Sequence, residues 1–214
     1  FENRTRAGQL LAKQLQHLKN KNAVVLAIPR GGLPVGAEIA NSLNLPLEVA
    51  LSKKIGHPFN KEFAIGAVSL ENEMIIADAG VSARYLEDEI KSIRSVLQQR
   101  HKQYYANKKE YSLKDKVVII TDDGIATGNT LLLTIDLVKQ KLPRAIIVAI
   151  PVGPPQSVEA LYEHPYVTDL ICLETPFNFR AVGQFYEDFE PVSDKEAISI
   201  FNQFKDTSYE NTRK

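Results

Sequence analysis

The sequence predicts an α/β protein built on a five-stranded parallel sheet flanked by helices. Short, unbroken apolar runs such as Ala23–Ile28 and Val117–Thr121 mark strands buried on both faces. These runs alternate with stretches of helical apolar spacing, the pattern of successive βαβ units. Two glycine-bearing turns, Pro29–Pro34 and Asp122–Thr130, directly follow two of the strands.

In chain order, Thr5–Leu18 reads as an amphipathic helix, with Leu11, Leu15 and Leu18 on one face. Ala23–Ile28 is the first strand, Leu33–Leu43 a helix and Leu47–Leu51 the second strand. Phe63–Leu70 and Met74–Ala77 flank the polar turn Glu71-Asn72-Glu73 as a β-hairpin. Ser82 to about Tyr105 is a long helix, with Leu86, Ile90, Ile93 and Leu97 three or four apart, and Lys108–Lys116 is a polar loop. Val117–Thr121, Arg144–Ile150 and Val167–Leu173 complete the sheet. Helices at Thr130–Lys141, Gln156–Tyr162 and Asp194–Phe204 accompany them. The domain division is a single unit over 1–205, with an insertion at 63–111, a segment at 174–192 and a frayed tail at 206–214.

The composition is that of an ordinary soluble domain. Of 214 residues, 44% are hydrophobic, and 26 basic residues balance 26 acidic ones, so no basic surface for nucleic acid is implied. The single cysteine, Cys172, excludes an intrachain disulfide and reads as a buried thiol in an apolar run. No apolar stretch is long enough to span a bilayer. Phe1–Gly8 lacks the apolar centre of a secretory signal, so a cytoplasmic protein is expected.

The chemistry concentrates in Asp122-Asp123-Gly124-Ile125-Ala126-Thr127-Gly128-Asn129-Thr130. A strand delivers two adjacent carboxylates, and a turn with two glycines then leads into a helix. Glycine allows close backbone approach, and N–H groups at a helix start favour an anion. Thr127 and Thr130 add hydroxyl donors. Carboxylates accept from sugar hydroxyls but repel phosphate. A ribose 5-phosphate satisfies both halves, with hydroxyls at Asp122 and Asp123 and phosphate in the turn. A simple aspartate N-cap would need one carboxylate, not two. The turn lacks the Gly-Lys-Ser/Thr ending of a Walker A loop and is not GxGxxG.

Arg30-Gly31-Gly32 after the first strand forms a second anion-suited turn, and Lys53-Lys54 after the second strand would lie at the same sheet edge. Of the four histidines only His57 lies near a proposed site, and it reads as structural.

Thr121–Thr130 resembles the phosphoribosyl-pyrophosphate (PRPP) motif of type I phosphoribosyltransferases. Pro29–Gly32, Lys53–Pro58, Glu62–Val68 and Ala181–Phe189 extend the likeness to a subgroup whose acceptor is unassigned, over nearly the whole chain. The resemblance implies transfer of ribose 5-phosphate from PRPP to a nitrogen acceptor, with Mg²⁺ carried by the substrate rather than by the protein alone. Asp122 and Asp123 would contact the ribose, and Ala126, Thr127, Gly128, Asn129 and Thr130 the 5-phosphate. Arg30, Gly31 and Gly32 would form the pyrophosphate loop, where the family often carries a cis peptide. Lys53 or Lys54 would lie near the leaving pyrophosphate. Residues 63–111 occupy the place of the family's flexible loop, making Arg84 and Arg100 candidate cationic contacts. Residues 174–192 would be the hood over the acceptor, with Phe177, Phe179 and Tyr186 available for stacking.

Two other readings stand beside transfer. A regulator would bind PRPP or a nucleotide without turnover. A phosphoester or pyrophosphate hydrolase would need a water-activating base or metal cluster that the sequence does not display. The apolar stripe of the insertion needs a partner, either the sheet edge or a second copy in a homodimer.

Overall fold

The computed structural model describes residues 1–76, 80–106 and 108–204, apart from the side chain of Glu62. The apolar runs form the strands they predict. β1 (Ala23–Ala27) is buried at every residue, and its alternate side chains serve two cores. Val25 and Ala27 pack into one, Val24 and Leu26 into the other. The same alternation runs through β6 (Val117–Thr121), where Ile119 faces the first core and Val118 and Ile120 the second. With β2 (Leu47–Val49), β7 (Ala145–Val152) and β8 (Asp169–Glu174) these strands form a five-stranded sheet in the order β2-β1-β6-β7-β8, every pair parallel.

Helices cover both faces. α1 (Arg4–Gln14) and α2 (Gly32–Leu43) supply Leu11, Leu33, Ile39 and Leu43 to the first core, which α6 (Asp194–Asn202) completes with Phe201. α4 (Asn129–Lys139) and α5 (Pro155–Tyr162) supply Leu131, Ile135 and Leu161 to the second. The expected first helix reaches Leu18 only through a short 3₁₀ turn at Gln16–Leu18.

The insertion differs from its expected form. A second sheet in the order β3-β4-β5 contains β3 (Ser52–His57), β4 (Asn60–Ser69) and β5 (Glu73–Ile75), all antiparallel. The β4–β5 hairpin follows the expected turn, but β4 begins earlier and pairs first with β3, where a basic turn was expected. Gly56 explains part of this. A Cβ there would stand 2.4 Å from the Lys61 carbonyl oxygen, so this glycine permits close strand approach and marks no turn. Ala77 and the tail at 206–214 lie outside the described residues.

α3 (Ala83–Tyr104) packs Ile93 and Leu97 against Ile55, Ile65 and Val68 of the second sheet, while Ala67 meets Leu133 and Leu137 of α4 on its other side. The stripe on α3 thus finds a partner within the chain. Glu71 pairs with Lys141 at 3.2 Å, which puts the β4–β5 turn beside the C-terminal end of α4. Ser52, at the foot of β3, meets Thr134 midway along that helix at 3.4 Å. Among the described residues no helix is long and apolar enough to cross a membrane.

Candidate active site

β1 and β6 are neighbours, with Ala27 opposite Thr121, but their chains leave the sheet in opposite directions. α2 covers one face and α4 the other. Such a divergence opens a crevice at the carboxyl ends of the strands. The two glycine turns meet there. The Ile28 N–H donates to the Thr121 carbonyl at 2.9 Å. A Cβ on Gly32 would stand 2.9 Å from that same oxygen and 3.0 Å from Asp122 Cα, and one on Gly31 only 2.0 Å from Asp123 Oδ2. The Pro29–Arg30 peptide is cis, at the place the resemblance implies.

The second turn is anchored from below and open above. Ile125 N–H donates to the Val152 carbonyl at 2.9 Å, and Ser157 Oγ to the Ala126 carbonyl at 2.7 Å. Gly128, at φ 72°, is the N-cap of α4 and supplies no side-chain cap. The first N–H groups of a helix have no partner within it, and the dipole makes that end electropositive. Ala126, Thr127, Asn129 and Thr130 are exposed around this end. The arrangement suits a phosphate dianion.

The carboxylates sit beside it. Burial pushes the Asp122 carboxyl well above the usual carboxylate range, and the charge of Asp123 adds to the effect. The Asp123 N–H donates to Asp122 Oδ1 at 2.8 Å. Asp123 itself is gripped from two distant parts of the chain. Arg4 Nε donates to its Oδ2 at 2.8 Å, and the Tyr186 hydroxyl donates to its main-chain carbonyl at 2.6 Å. Burial pushes the Tyr186 phenol up, so it remains a donor.

Arg4 is the contact that motif reading missed. No local pattern links it to a residue 119 positions away. One signal was present: the first turn of α1 carries Arg4 and Arg6 but no acid, against the preference of a helix N-terminus.

The remaining candidates are spread. Arg30 is exposed and lies 3.6 Å from Asp194 at the start of α6. Lys53 and Lys54 are consecutive on β3 and so point to opposite faces. Lys53, opposite Val68, is exposed; Lys54, opposite Ala67, is half-buried. Both Arg100 and Arg30 act on the Tyr104 phenol, which places them in one neighbourhood. Arg84 is sixteen positions earlier on α3, about 24 Å along the axis. In the 174–192 segment Phe177 is 95% exposed, while Phe179 stacks on Phe185. The Tyr186 ring packs between Phe1 and Phe189, so its contribution is to hold Asp123. Val182 closes this segment onto the Asp122–Thr130 turn, lying 2.7 Å from the Cβ position of Gly124, whose φ is 150°.

A family model described as the phosphoribosyl transferase domain matches residues 3–189. Two curated Mycobacterium tuberculosis sequences, from strains CDC 1551 / Oshkosh and H37Rv, carry the provisional name phosphoribosyl transferase. Each is 34% identical over 208 residues, covering 95% of this chain and 46% of its own length. The chain thus spans about half the length of these curated relatives. The crystal structure of TT1426 from Thermus thermophilus is similar over 95% of this chain and 98% of its own, at 36% identity and a TM-score of 0.87. By sequence, fold and the geometry of its two turns, the chain belongs to the phosphoribosyl transferase domain family.

Proposed function

We propose that this domain transfers ribose 5-phosphate from PRPP to a nitrogen acceptor, nucleobase-like or a small amine. The bond from the anomeric carbon to pyrophosphate breaks and a carbon–nitrogen bond forms. The observation that carries the reading is the meeting of Asp123 with Gly31, which joins hydroxyl-binding carboxylates to an anion-suited turn in one crevice. The start of α4, with Thr127 and Thr130, would take the 5-phosphate. Asp122 and Asp123 would accept from the ribose hydroxyls and favour positive charge as the anomeric carbon loses its leaving group. Arg30, with Lys53 or Lys54 and Arg100 as nearby or mobile cations, would offset the charge of departing pyrophosphate. Exposed Phe177 would offer a face to a planar acceptor.

The donor set fits Mg²⁺ brought in by the substrate. Among the described residues no group of three or more His, Cys, Asp or Glu is placed to hold a metal alone, while Asp122 and Asp123 are hard oxygen donors on the sugar side. When bound, Mg²⁺ would supply neutralisation of leaving-group charge.

The test is calorimetric PRPP binding with Mg²⁺, followed by pyrophosphate release across a panel of nucleobases and small amines. Binding with acceptor-dependent release is expected. Absence of PRPP affinity would remove the ligand assignment. Tight binding without release across the panel would make the domain a PRPP-binding regulator.

A further inference from the structure

Arg4 stands outside every motif, yet its guanidinium makes three separate contacts, one with the Asp122–Thr130 turn and two with the 185–190 segment. Nε donates to Asp123 Oδ2 at 2.8 Å, and Nη1 donates to the Glu190 carbonyl at 2.8 Å. The guanidinium carbon lies 3.8 Å from the centre of the Phe189 ring. The two paired side chains are only 11% and 15% exposed, so solvent screens this pair less than a surface one. Main-chain bonds tie the same regions together: Glu187 N–H donates to the Phe1 carbonyl at 2.8 Å and Asp188 N–H to that of Glu2 at 2.9 Å. Segments 1–4 and 185–190 therefore close as one unit onto Asp123.

We propose that Arg4 is a positioning residue for the sugar site, holding the Asp123 side chain over Gly31 while coupling it to the 185–190 segment. This inference rests on the reading of Asp122 and Asp123 as ribose contacts. Two adjacent carboxyls resist ionising together, and a nearby cation relieves that resistance. The groups facing the pair are Arg4 from α1 and the Tyr186 phenol, with Glu174 at the end of β8 acting on that phenol. Arg30, in the facing loop, is engaged with Asp194. Arg4 is thus the cation that acts directly on the pair. Without it Asp123 would lose its tether over Gly31, and the Asp122 carboxyl would be pushed still further above the usual carboxylate range.

The test compares wild type, Arg4→Met and Arg4→Lys in two measurements. The first follows the Asp122 carboxyl carbon by NMR across pH in ligand-free protein, with Asp122→Asn giving the assignment. Its titration should move to higher pH in Arg4→Met and return most of the way in Arg4→Lys. The second measures PRPP affinity with Mg²⁺ across pH. Arg4→Met should lose about tenfold or more, as for a lost charged hydrogen bond. The loss should be largest on the acid side, and Arg4→Lys should restore that side. Arg4→Gln replaces Arg4→Met if the apolar variant does not fold. An unchanged carboxyl titration overturns the inference. So does an affinity loss that is equal at every pH and is not rescued by lysine, the behaviour of a purely structural strap. If wild type binds no PRPP, the proposed function falls, and the ligand-free titration alone decides the role of Arg4.

Discussion

Gly31 and Asp123 occupy one space: the Asp123 carboxylate lies 2.0 Å from where a Cβ on Gly31 would stand. The requirement for glycine comes from contact, since φ at Gly31 is −61°, ordinary for any residue. Gly31→Ala therefore isolates the contact. The methyl group would displace the carboxylate from Arg4 and from the sugar position. Losing one charged hydrogen bond costs about 1.5–3 kcal/mol, so PRPP affinity should fall roughly tenfold to a hundredfold. Because the displaced carboxylate also leaves the largely buried Arg4, the melting temperature should fall as well. Calorimetry beside thermal unfolding checks both; unchanged affinity would mean that Asp123 does not meet the ligand.

Gly128 presents the opposite case. Its φ of 72° disfavours other residues, although the nearest atoms to a Cβ there stand at an ordinary 3.7 Å. Backbone conformation, and not crowding, should rank the variants. Asparagine tolerates the left-handed region, whereas a β-branched residue does not. Affinity for PRPP should fall in the order glycine, asparagine, alanine, valine, with Gly128→Val losing phosphate binding altogether. Equal losses for asparagine and valine would show that something other than the dihedral is responsible.

The two aspartates should separate in mutation. Asp122 is pushed toward its protonated form by burial, whereas Asp123 is ion-paired with Arg4. Asp122→Asn replaces a carboxyl whose charge burial already disfavours. Asp123→Asn strips the partner from a largely buried guanidinium. Both should slow transfer, by about tenfold to a hundredfold where one charged hydrogen bond is lost in the transition state. Only Asp123→Asn should also lower stability in urea titration. Equal stability of the two variants would argue against a structural share for the Arg4 pair.

What the sequence made legible follows from the range of the forces involved. The β1 and β6 runs and the helices after them were visible because burial on both faces leaves a contiguous apolar signature. The Asp122–Thr130 turn was visible because strand, carboxylates, glycines and helix are consecutive. β3 was not, since Ser52-Lys53-Lys54 shows no apolar alternation and its strand character comes from pairing with β4. Arg4 and Tyr186 converge on Asp123 from opposite ends of the chain, a relation that only tertiary packing creates.

Glu48 supplies a pH test independent of the ligand. It lies on β2, 3% exposed, accepting the Tyr105 hydroxyl at Oε2 and the Tyr111 N–H at Oε1, the latter at 3.0 Å. Burial pushes its carboxyl up to about 7, although the bond from Tyr105 and the charge of Lys108 pull the other way. A carboxyl whose folded pKa exceeds its unfolded value makes the folded state bind more protons. Its contribution is therefore complete below an unfolded value of 4.5 and is lost as pH rises through about 7. The difference is on the order of 3 kcal/mol across that window. Glu48→Gln keeps the shape and an acceptor oxygen but cannot ionise. Relative to wild type, the variant should gain stability between about pH 5 and pH 8, measured by urea unfolding at both. Other titrating groups are common to the two proteins and cancel in that comparison. A stability difference that stays constant with pH would mean that Glu48 ionises in the folded protein as readily as in the unfolded chain.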